Sequence, residues 1–262
     1  FESYDMCEEY IRDAISVGEL NNEDFEIFSE LELLLEEDYR HPLPTGIDGI
    51  DNILNGGLAK GEIGVILAPT GVGKTTMLTR FANTAFNMGY NVLQIFFEDN
   101  PKIIQRKHFT CWTGIVNDEL SKHKETVLEK ADEMKKSGGR LILKKLPSDE
   151  MTMLQIKNQV RKIISEGTKI DMVLIDYIDC IIPDRSFNDE WKGEGSVMRK
   201  FEGMCHELDI VGWTATQGNR SSISSEVVTT DMMGGSIKKA QIGHFIVSIA
   251  KTLEQREAGT AN

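Results

Sequence analysis

Short apolar runs alternate along the chain with longer stretches in which apolar residues recur at helical spacing. The apolar runs predict buried strands at 63–67, 91–97, 141–143, 171–177, 210–215 and 244–250. The helical spacing predicts helices near 74–88, 101–114, 117–137, 151–166 and 189–208. Strands that alternate with helices favour an α/β fold with a doubly wound, mostly parallel sheet flanked by helices. Such sheets bind their ligands beyond the carboxyl ends of the strands.

The N-terminal segment differs from the rest of the chain in its charge. Residues 1–40 hold fourteen of the 42 acidic residues but only two of the 29 basic ones, so the other residues carry 28 acidic and 27 basic side chains. The formal net charge of −13 is thus a property of this segment, and the remainder could carry a local basic surface. The apolar residues of 1–40 fall at helical spacing in two stretches. We expect residues 1–44 to be an acidic helical segment, either solvated helices packed on their own domain or a linker that docks on a neighbouring subunit.

Other features of the whole chain restrict the class of protein. No apolar run is long enough to span a bilayer, and the sequence shows no basic-apolar signal peptide. The four cysteines form no close pair and are predicted to be free thiols of a reducing compartment. The five histidines show no ligand spacing, so we expect no zinc site. Because the chain starts with Phe rather than Met, we expect an excised or processed piece.

The strongest motif is a phosphate-binding loop of the pattern G-x-x-x-x-G-K-[ST], in which Ala68 replaces the first glycine. Gly71 and Gly73 allow backbone N–H groups to approach phosphate oxygens, and the N-terminus of the next helix adds donors and a positive dipole end. Lys74 is expected to contact the β- and γ-phosphates, and the Thr75 hydroxyl to complete a Mg²⁺ shell. We predict that the nucleotide is held by Ala68, Pro69, Thr70, Gly71, Val72, Gly73, Lys74, Thr75, Thr76 and Asp176.

Three further polar residues follow predicted strands. Asp176 ends an apolar run and could hold Mg²⁺ through water, although this pattern is common in α/β proteins. Glu98 could orient and deprotonate an attacking water, or it could be a helix-capping acid, and the neighbouring Asp99 could take the same role. Gln217 could sense a γ-phosphate through its side-chain amide, or it could be a simple turn residue.

Together these pieces resemble the RecA-type ATPase core and, among its branches, the DnaB-type replicative helicases, of which a phage-type member is one option. The resemblance covers about residues 45–250. The matching pieces are Asn55-Gly-Gly-Leu58, Gly61-Glu62, the phosphate loop, Glu98 with Arg106 a few residues on, Leu174-Ile-Asp-Tyr177 and Thr216-Gln-Gly-Asn-Arg220. The phosphate loop is highly specific for nucleotide binding, and the last two pieces are moderately specific for this branch.

The resemblance implies a motor domain that couples ATP hydrolysis to movement on single-stranded DNA, in a ring of identical subunits that is a hexamer. By position, Lys74 would bind phosphate, Thr75 and Asp176 would hold Mg²⁺, and Glu98 would be the catalytic base. Gln217 would couple the γ-phosphate to a DNA-binding loop. The residues expected to face DNA are Arg220, Lys238 and Lys239. A primase or helicase loader would be a further partner, in the cytoplasm of a bacterium or an infected host cell, and no membrane would be involved.

The chain also departs from this family. Lys238-Lys239 stands where an acidic Glu-Gln pair is common, and the Lys-x-Arg finger expected after the last strand is missing, so we expect the core at 45–262 to be incomplete at its C-terminal end. One alternative is a RecA- or KaiC-like ATPase that forms filaments or rings in recombination or signalling. Another is an assembly module that binds nucleotide without hydrolysing it. A small-molecule kinase ranks last, because its lid arginines are not evident.

Overall fold

The structure, a computed structural model, describes most of the chain after residue 40. The described residues are 41–136, 138–184, 189–219, 228–233 and 237–252, together with 7, 11, 27, 28, 31, 35, 40, 222 and 255. The chain divides into two compact units, Phe1–Arg40 and His41–Asn262. The helices predicted within the first unit lie almost entirely outside the described residues.

Six parallel strands form one sheet in the second unit. They are β1 (Ile63–Ala68), β2 (Val92–Phe96), β3 (Leu141–Lys145), β4 (Met172–Asp176), β5 (Val211–Gln217) and β6 (Phe245–Ser248). Their order across the sheet is β3-β2-β4-β5-β1-β6, and every pairing is parallel. The predicted doubly wound α/β fold is therefore confirmed, and the sheet is fully parallel where the sequence predicted a mostly parallel one.

Helices connect the strands. Those described are α1 (Asp48–Ile53), α2 (Lys74–Asn87), α3 (Pro101–Thr113), α4 (Lys124–Met134), α5 (Met153–Ser165), α6 (Glu190–Glu207) and α7 (Ile237–Ile242). The helix predicted from 117 begins only at Lys124, because Asn117–Glu119 is a 3₁₀ turn that Arg106 holds by donating to the side chain and carbonyl of Asn117. Within the described part of the chain, no helix is long and apolar enough to cross a membrane.

Both faces of the four central strands, β2, β4, β5 and β1, are buried, which explains why these strands appear in the sequence as continuous apolar runs. On one face, side chains from β1, β2 and β4 pack with α5 and α6 around Phe201. On the other, Trp213 of β5 packs against Phe81 of α2, with ring centroids 4.6 Å apart. A Cβ atom at Gly64 would lie 2.3 Å from the Trp213 ring, so the neighbouring strand needs glycine at this position.

A polar network lies within this core. Nδ1 of His108 on α3 is 2.7 Å from Oδ1 of Asn83 on α2, and its Nε2 is 2.9 Å from Oε1 of Gln94 on β2. All three side chains are buried. Burial lowers the pKa of His108 to about 4, so the imidazole is neutral at physiological pH. The network ties the helix after the phosphate loop to the strand that precedes Glu98.

Candidate nucleotide-binding site

The phosphate loop joins β1 to α2, as the sequence predicts. Ala68 is the last residue of β1 and is fully buried, and α2 begins at Lys74. Gly71 and Gly73 have φ angles of +75° and +114°. A Cβ atom at Gly71 would meet no atom within 4 Å, so its backbone conformation, not lack of space, favours glycine there. The loop is thus built to turn its N–H groups toward an anion at the N-terminus of α2.

Lys74 lies folded over the loop. Its Nζ donates to the carbonyl oxygens of Ala68 and Pro69, at 3.4 and 3.5 Å, and lies 5.7 Å from the centre of the Tyr177 ring. Burial lowers the pKa of Lys74, and the nearby carboxylates of Asp176, Asp179 and Glu98 oppose that shift. A phosphate would offer this ammonium a stronger acceptor than the two long carbonyl contacts.

Asp176 and Thr75 form the pair expected to hold Mg²⁺. Asp176 ends β4, is buried, and accepts a side-chain hydrogen bond from Thr75. Burial raises the pKa of Asp176, while that hydrogen bond and the positive charges of Lys107 and Lys74 lower it. A hydroxyl and a carboxylate are the hard oxygen ligands that Mg²⁺ prefers, so these residues fit the ion. Among the described residues, no cluster of three or more His, Cys, Asp or Glu could hold a metal by itself.

Glu98 and Asp99 follow β2 but have different partners. The Tyr177 hydroxyl donates to Oε1 of Glu98 at 2.9 Å. Asp99 instead forms an ion pair with Lys107, with 2.8 Å between Oδ2 and Nζ. Burial, followed by the hydrogen bond to Glu98, raises the pKa of Tyr177, so the phenol keeps its proton and remains a donor. The sequence favoured Glu98 over Asp99 as the base, and the structure gives the two acids distinct surroundings.

Gln217 ends β5 and contacts the phosphate loop. Its Nε2 donates to the Thr70 hydroxyl, and its backbone N–H donates to Oδ2 of Asp179 at 3.1 Å. Oδ1 of the same carboxylate accepts from the Thr216 hydroxyl at 3.0 Å. Asp179 was not singled out by the sequence, although it stands three residues after Asp176.

One cavity of about 550 Å³ brings these residues together. The predicted residues that line it are Thr70, Gly71, Gly73, Lys74, Thr75, Thr76, Glu98, Asp176 and Gln217. Ala68, Pro69 and Val72 are buried instead. Sequence reasoning missed Tyr177 as a partner of Glu98 and Lys107 as a partner of Asp99, since both contacts join separate elements. The chemical roles of the lining residues stay predictions.

The structure describes the side chain of only one of the three residues expected to face DNA. Arg220 and the side chain of Lys238 lie outside the described residues. Lys239 is described, and its side chain is only 2% exposed. Its Nζ pairs with the carboxylate of Asp179, and with Glu194 at 3.2 Å. Lys239 is therefore held by its buried partners, and its contact with DNA stays a prediction.

Curated proteins of known family are similar to parts of this chain. The DnaB-like replicative helicase of Enterobacteria phage T4 is 22% identical over 224 residues, which are 81% of this chain and 46% of that protein. The DNA repair protein RadA of Aquifex aeolicus is 31% identical over 122 residues, 47% of this chain and 24% of that protein. The chain thus spans less than half the length of each of these curated relatives.

Solved structures share the fold. One of them, an ATPase domain, superposes with a TM-score of 0.73 at 15% identity, covering 88% of this chain and 83% of that one. A DnaB-like replicative helicase, described with its interactions with primase, gives a TM-score of 0.71 at 15% identity and covers 84% and 54%. Residues 42–230, most of the chain, match the family described as the DnaB-like helicase C terminal domain. The chain therefore belongs to the DnaB-like helicase C-terminal domain family.

Proposed function

We propose that this chain is the ATP-hydrolysing motor domain of a DnaB-like replicative DNA helicase, which couples ATP hydrolysis to movement on single-stranded DNA. One observation carries the proposal. Within a single cavity, the phosphate loop with Lys74 meets a carboxylate and hydroxyl suited to Mg²⁺, Asp176 and Thr75, and a separate carboxylate, Glu98. Binding alone would need only the first two parts, and the third is what hydrolysis adds.

The residues divide the chemistry among them. The loop N–H groups and Lys74 would hold the β- and γ-phosphates, and Thr75 and Asp176 would hold Mg²⁺, which when bound neutralises charge on those phosphates. Glu98 would accept the proton of the attacking water. The hydrogen bond from the Tyr177 hydroxyl to Oε1 would help to orient the carboxylate that takes that proton. Gln217, whose side-chain amide donates a hydrogen bond to the Thr70 hydroxyl, would sense the γ-phosphate.

The rest of the proposal concerns assembly. We infer a ring of identical subunits, a hexamer by family resemblance, with single-stranded DNA in its channel and Arg220 and Lys238 facing that DNA. Residues 1–44 would dock on a neighbouring subunit. A primase or helicase loader is a further partner, supported by a structural neighbour that was described with primase. The site of action would be the bacterial or infected-cell cytoplasm.

The test is steady-state ATP hydrolysis by a C-terminally extended form of the chain, with and without single-stranded DNA, beside a Lys74→Ala control. We expect hydrolysis that DNA stimulates and that the control lacks. An extended protein that binds ATP but hydrolyses none, with or without DNA, would show a nucleotide-binding assembly module instead.

The RadA relative supports a second candidate, a RecA-like ATPase acting in recombination, over less than half of the chain. Unwinding of forked DNA separates the two. A helicase opens the fork with ATP, whereas a recombination protein leaves the fork closed and exchanges homologous strands.

A further inference from the structure

Asp179 joins three elements through one carboxylate. It lies in the 3₁₀ turn Ile178–Cys180 that follows β4. Both of its oxygens accept hydrogen bonds from the end of β5, from the Thr216 hydroxyl at 3.0 Å and from the Gln217 N–H at 3.1 Å. The ammonium of Lys239 on α7 pairs with the same carboxylate. The carboxyl end of β5 and helix α7 are therefore fixed to one point.

Lys239 is an anchor for α7. Its side chain is among the largest fully buried ones in the described residues, and it contacts two carboxylates, those of Asp179 and Glu194. Those two acids are themselves mostly buried, with 22% and 23% of their side chains exposed. An ammonium in such a place is stable only while its partners stay in position, because an uncompensated buried charge is costly. The position of α7 is thus tied to that of Asp179.

The other end of this connection reaches the phosphate loop. Gln217 donates to Asp179 with its main chain and to Thr70 with its side chain. The next residues continue the bracing, since Gly218 pairs with Met233 and the N–H of Asn219 donates to the carbonyl of Met232 at 2.7 Å. A continuous path of contacts therefore runs from Thr70 through Gln217 and Asp179 to Lys239.

We propose that Asp179 and Lys239 are positioning residues that transmit the state of the nucleotide site to helix α7. The inference rests on the proposed function in one respect, namely that a nucleotide binds at the phosphate loop. A γ-phosphate beside Thr70 and Gln217 competes for the hydrogen bond between them. Any shift of Gln217 moves the N–H that Asp179 holds, and the buried Lys239 must follow its partner. The coupling lies in this shared carboxylate. If α7 and the end of β5 move apart, Asp179 can keep its contacts with only one of them.

Hydrogen exchange on the whole chain tests the proposal without DNA. Exchange at 214–219 and 237–242 is compared with and without a non-hydrolysable ATP analogue and Mg²⁺. In the parent protein, the analogue changes exchange in both stretches. In Lys239→Met, exchange at 237–242 rises by about tenfold or more and no longer responds to the analogue, because the ion pairs are gone. Lys239→Arg, which keeps the charge, restores the response at least in part.

A matched control removes a different ion pair of the same region. Lys200 on α6 pairs with Asp184 at 2.5 Å, and its side chain is 40% exposed. Lys200→Met should leave the response of 237–242 unchanged. If Lys239 acted only by touching DNA, Lys239→Met would leave exchange in the absence of DNA unchanged.

The outcomes are separable from failure of the proposed function. If the parent protein binds no analogue, the proposed function fails. Faster exchange in Asp179→Asn, at both 214–219 and 237–242, would still show that Asp179 anchors both stretches. If Lys239→Met does not fold, Lys239→Arg and Asp179→Asn carry the comparison. A parent protein whose 237–242 stretch ignores the analogue, or a folded Lys239→Met with an intact response, overturns the proposal.

Discussion

The phenol of Tyr177 holds one oxygen of Glu98, at 2.9 Å, from the residue directly after Asp176. The expected base and the expected magnesium ligand are thus tied to one stretch of chain, although Glu98 itself follows a different strand. A hydrogen bond to an exposed carboxylate restrains its position more than it stabilises the fold.

Removing that restraint should slow the reaction and leave nucleotide binding alone. For Tyr177→Phe, in a form of the protein that hydrolyses ATP, we expect turnover to fall by about tenfold or less, the contribution of one hydrogen bond. Steady-state kinetics and equilibrium binding of nucleotide are the measurements. Tyr90→Phe, at the opposite end of β2, is the matched control and should be neutral. A Tyr177→Phe enzyme with full turnover would remove the hydroxyl from the mechanism.

The two neighbouring acids should differ sharply. Glu98→Gln is expected to keep nucleotide affinity and to lose turnover by about 10²–10⁴, the usual effect of removing a general base. Asp99→Asn should cost much less, since Asp99 is engaged by Lys107. Both variants are measured for hydrolysis and for nucleotide binding. If Asp99→Asn is the inactive one, or if Glu98→Gln loses binding together with turnover, the assignment of the base is wrong.

Lys74→Ala should abolish tight binding of ATP·Mg²⁺. We expect affinity to fall by roughly 10- to 100-fold, the value of a charge-assisted contact to phosphate. The fold should be unaffected, because the hydrogen bonds of Lys74 are two long ones to main-chain carbonyls. Isothermal titration calorimetry measures the affinity for ATP·Mg²⁺, and thermal unfolding measures the stability of the fold. Unchanged affinity in this variant would contradict the interpretation of the loop as a phosphate site.

His108 should make the stability of the domain depend on pH. Its pKa is about 4 in the folded protein against an ordinary value of 6.5, so the unfolded chain binds a proton first as the pH falls. The stabilising contribution is complete above pH 6.5 and is lost between pH 6.5 and 4, by about 3 kcal/mol in free energy of unfolding. Urea unfolding at several pH values measures it. His108→Gln should flatten this pH dependence, whereas substitution of the exposed His123 by Gln should not. If the free energy of unfolding changes equally with pH in the parent and in both variants, His108 is not its source.

Deleting residues 1–40 should weaken assembly without unfolding the second unit. The reason is the amphipathic pattern of a strongly acidic segment beside a nearly neutral remainder. Sedimentation velocity should show a shift toward monomer, while circular dichroism stays that of a folded α/β domain. A truncated protein that assembles as well as its parent would reduce the segment to a solvated flank.

The sequence predicted all six strands and most helices to within a few residues, because a parallel sheet covered on both faces leaves long apolar runs. It also placed Lys74, Glu98, Asp176 and Gln217 at the same edge, since they follow strands that end there. What it could not supply were contacts between distant elements, such as Tyr177 with Glu98. Lys239 is the clearest case. A lysine beside a second lysine indicates a basic surface, and only the packing of α6 and the 3₁₀ turn against it makes it an internal ion pair.

The strand order has a consequence for synthesis. The strand that leads into the phosphate loop is flanked by β5 and β6, so Ile63 pairs with Gly212 and Gly64 with Phe245. At about 5–20 residues per second, roughly 7–30 s separate the translation of β1 from that of its first partner. During that time both edges of an apolar strand await strands that the ribosome has not yet made, and distant parallel pairing is intrinsically slow. A nascent chain stopped before β5 would therefore carry a complete phosphate-loop sequence whose strand has neither of its neighbours, even though β2, β3 and β4 are already made. Such a chain would be a target for chaperones rather than a nucleotide-binding protein.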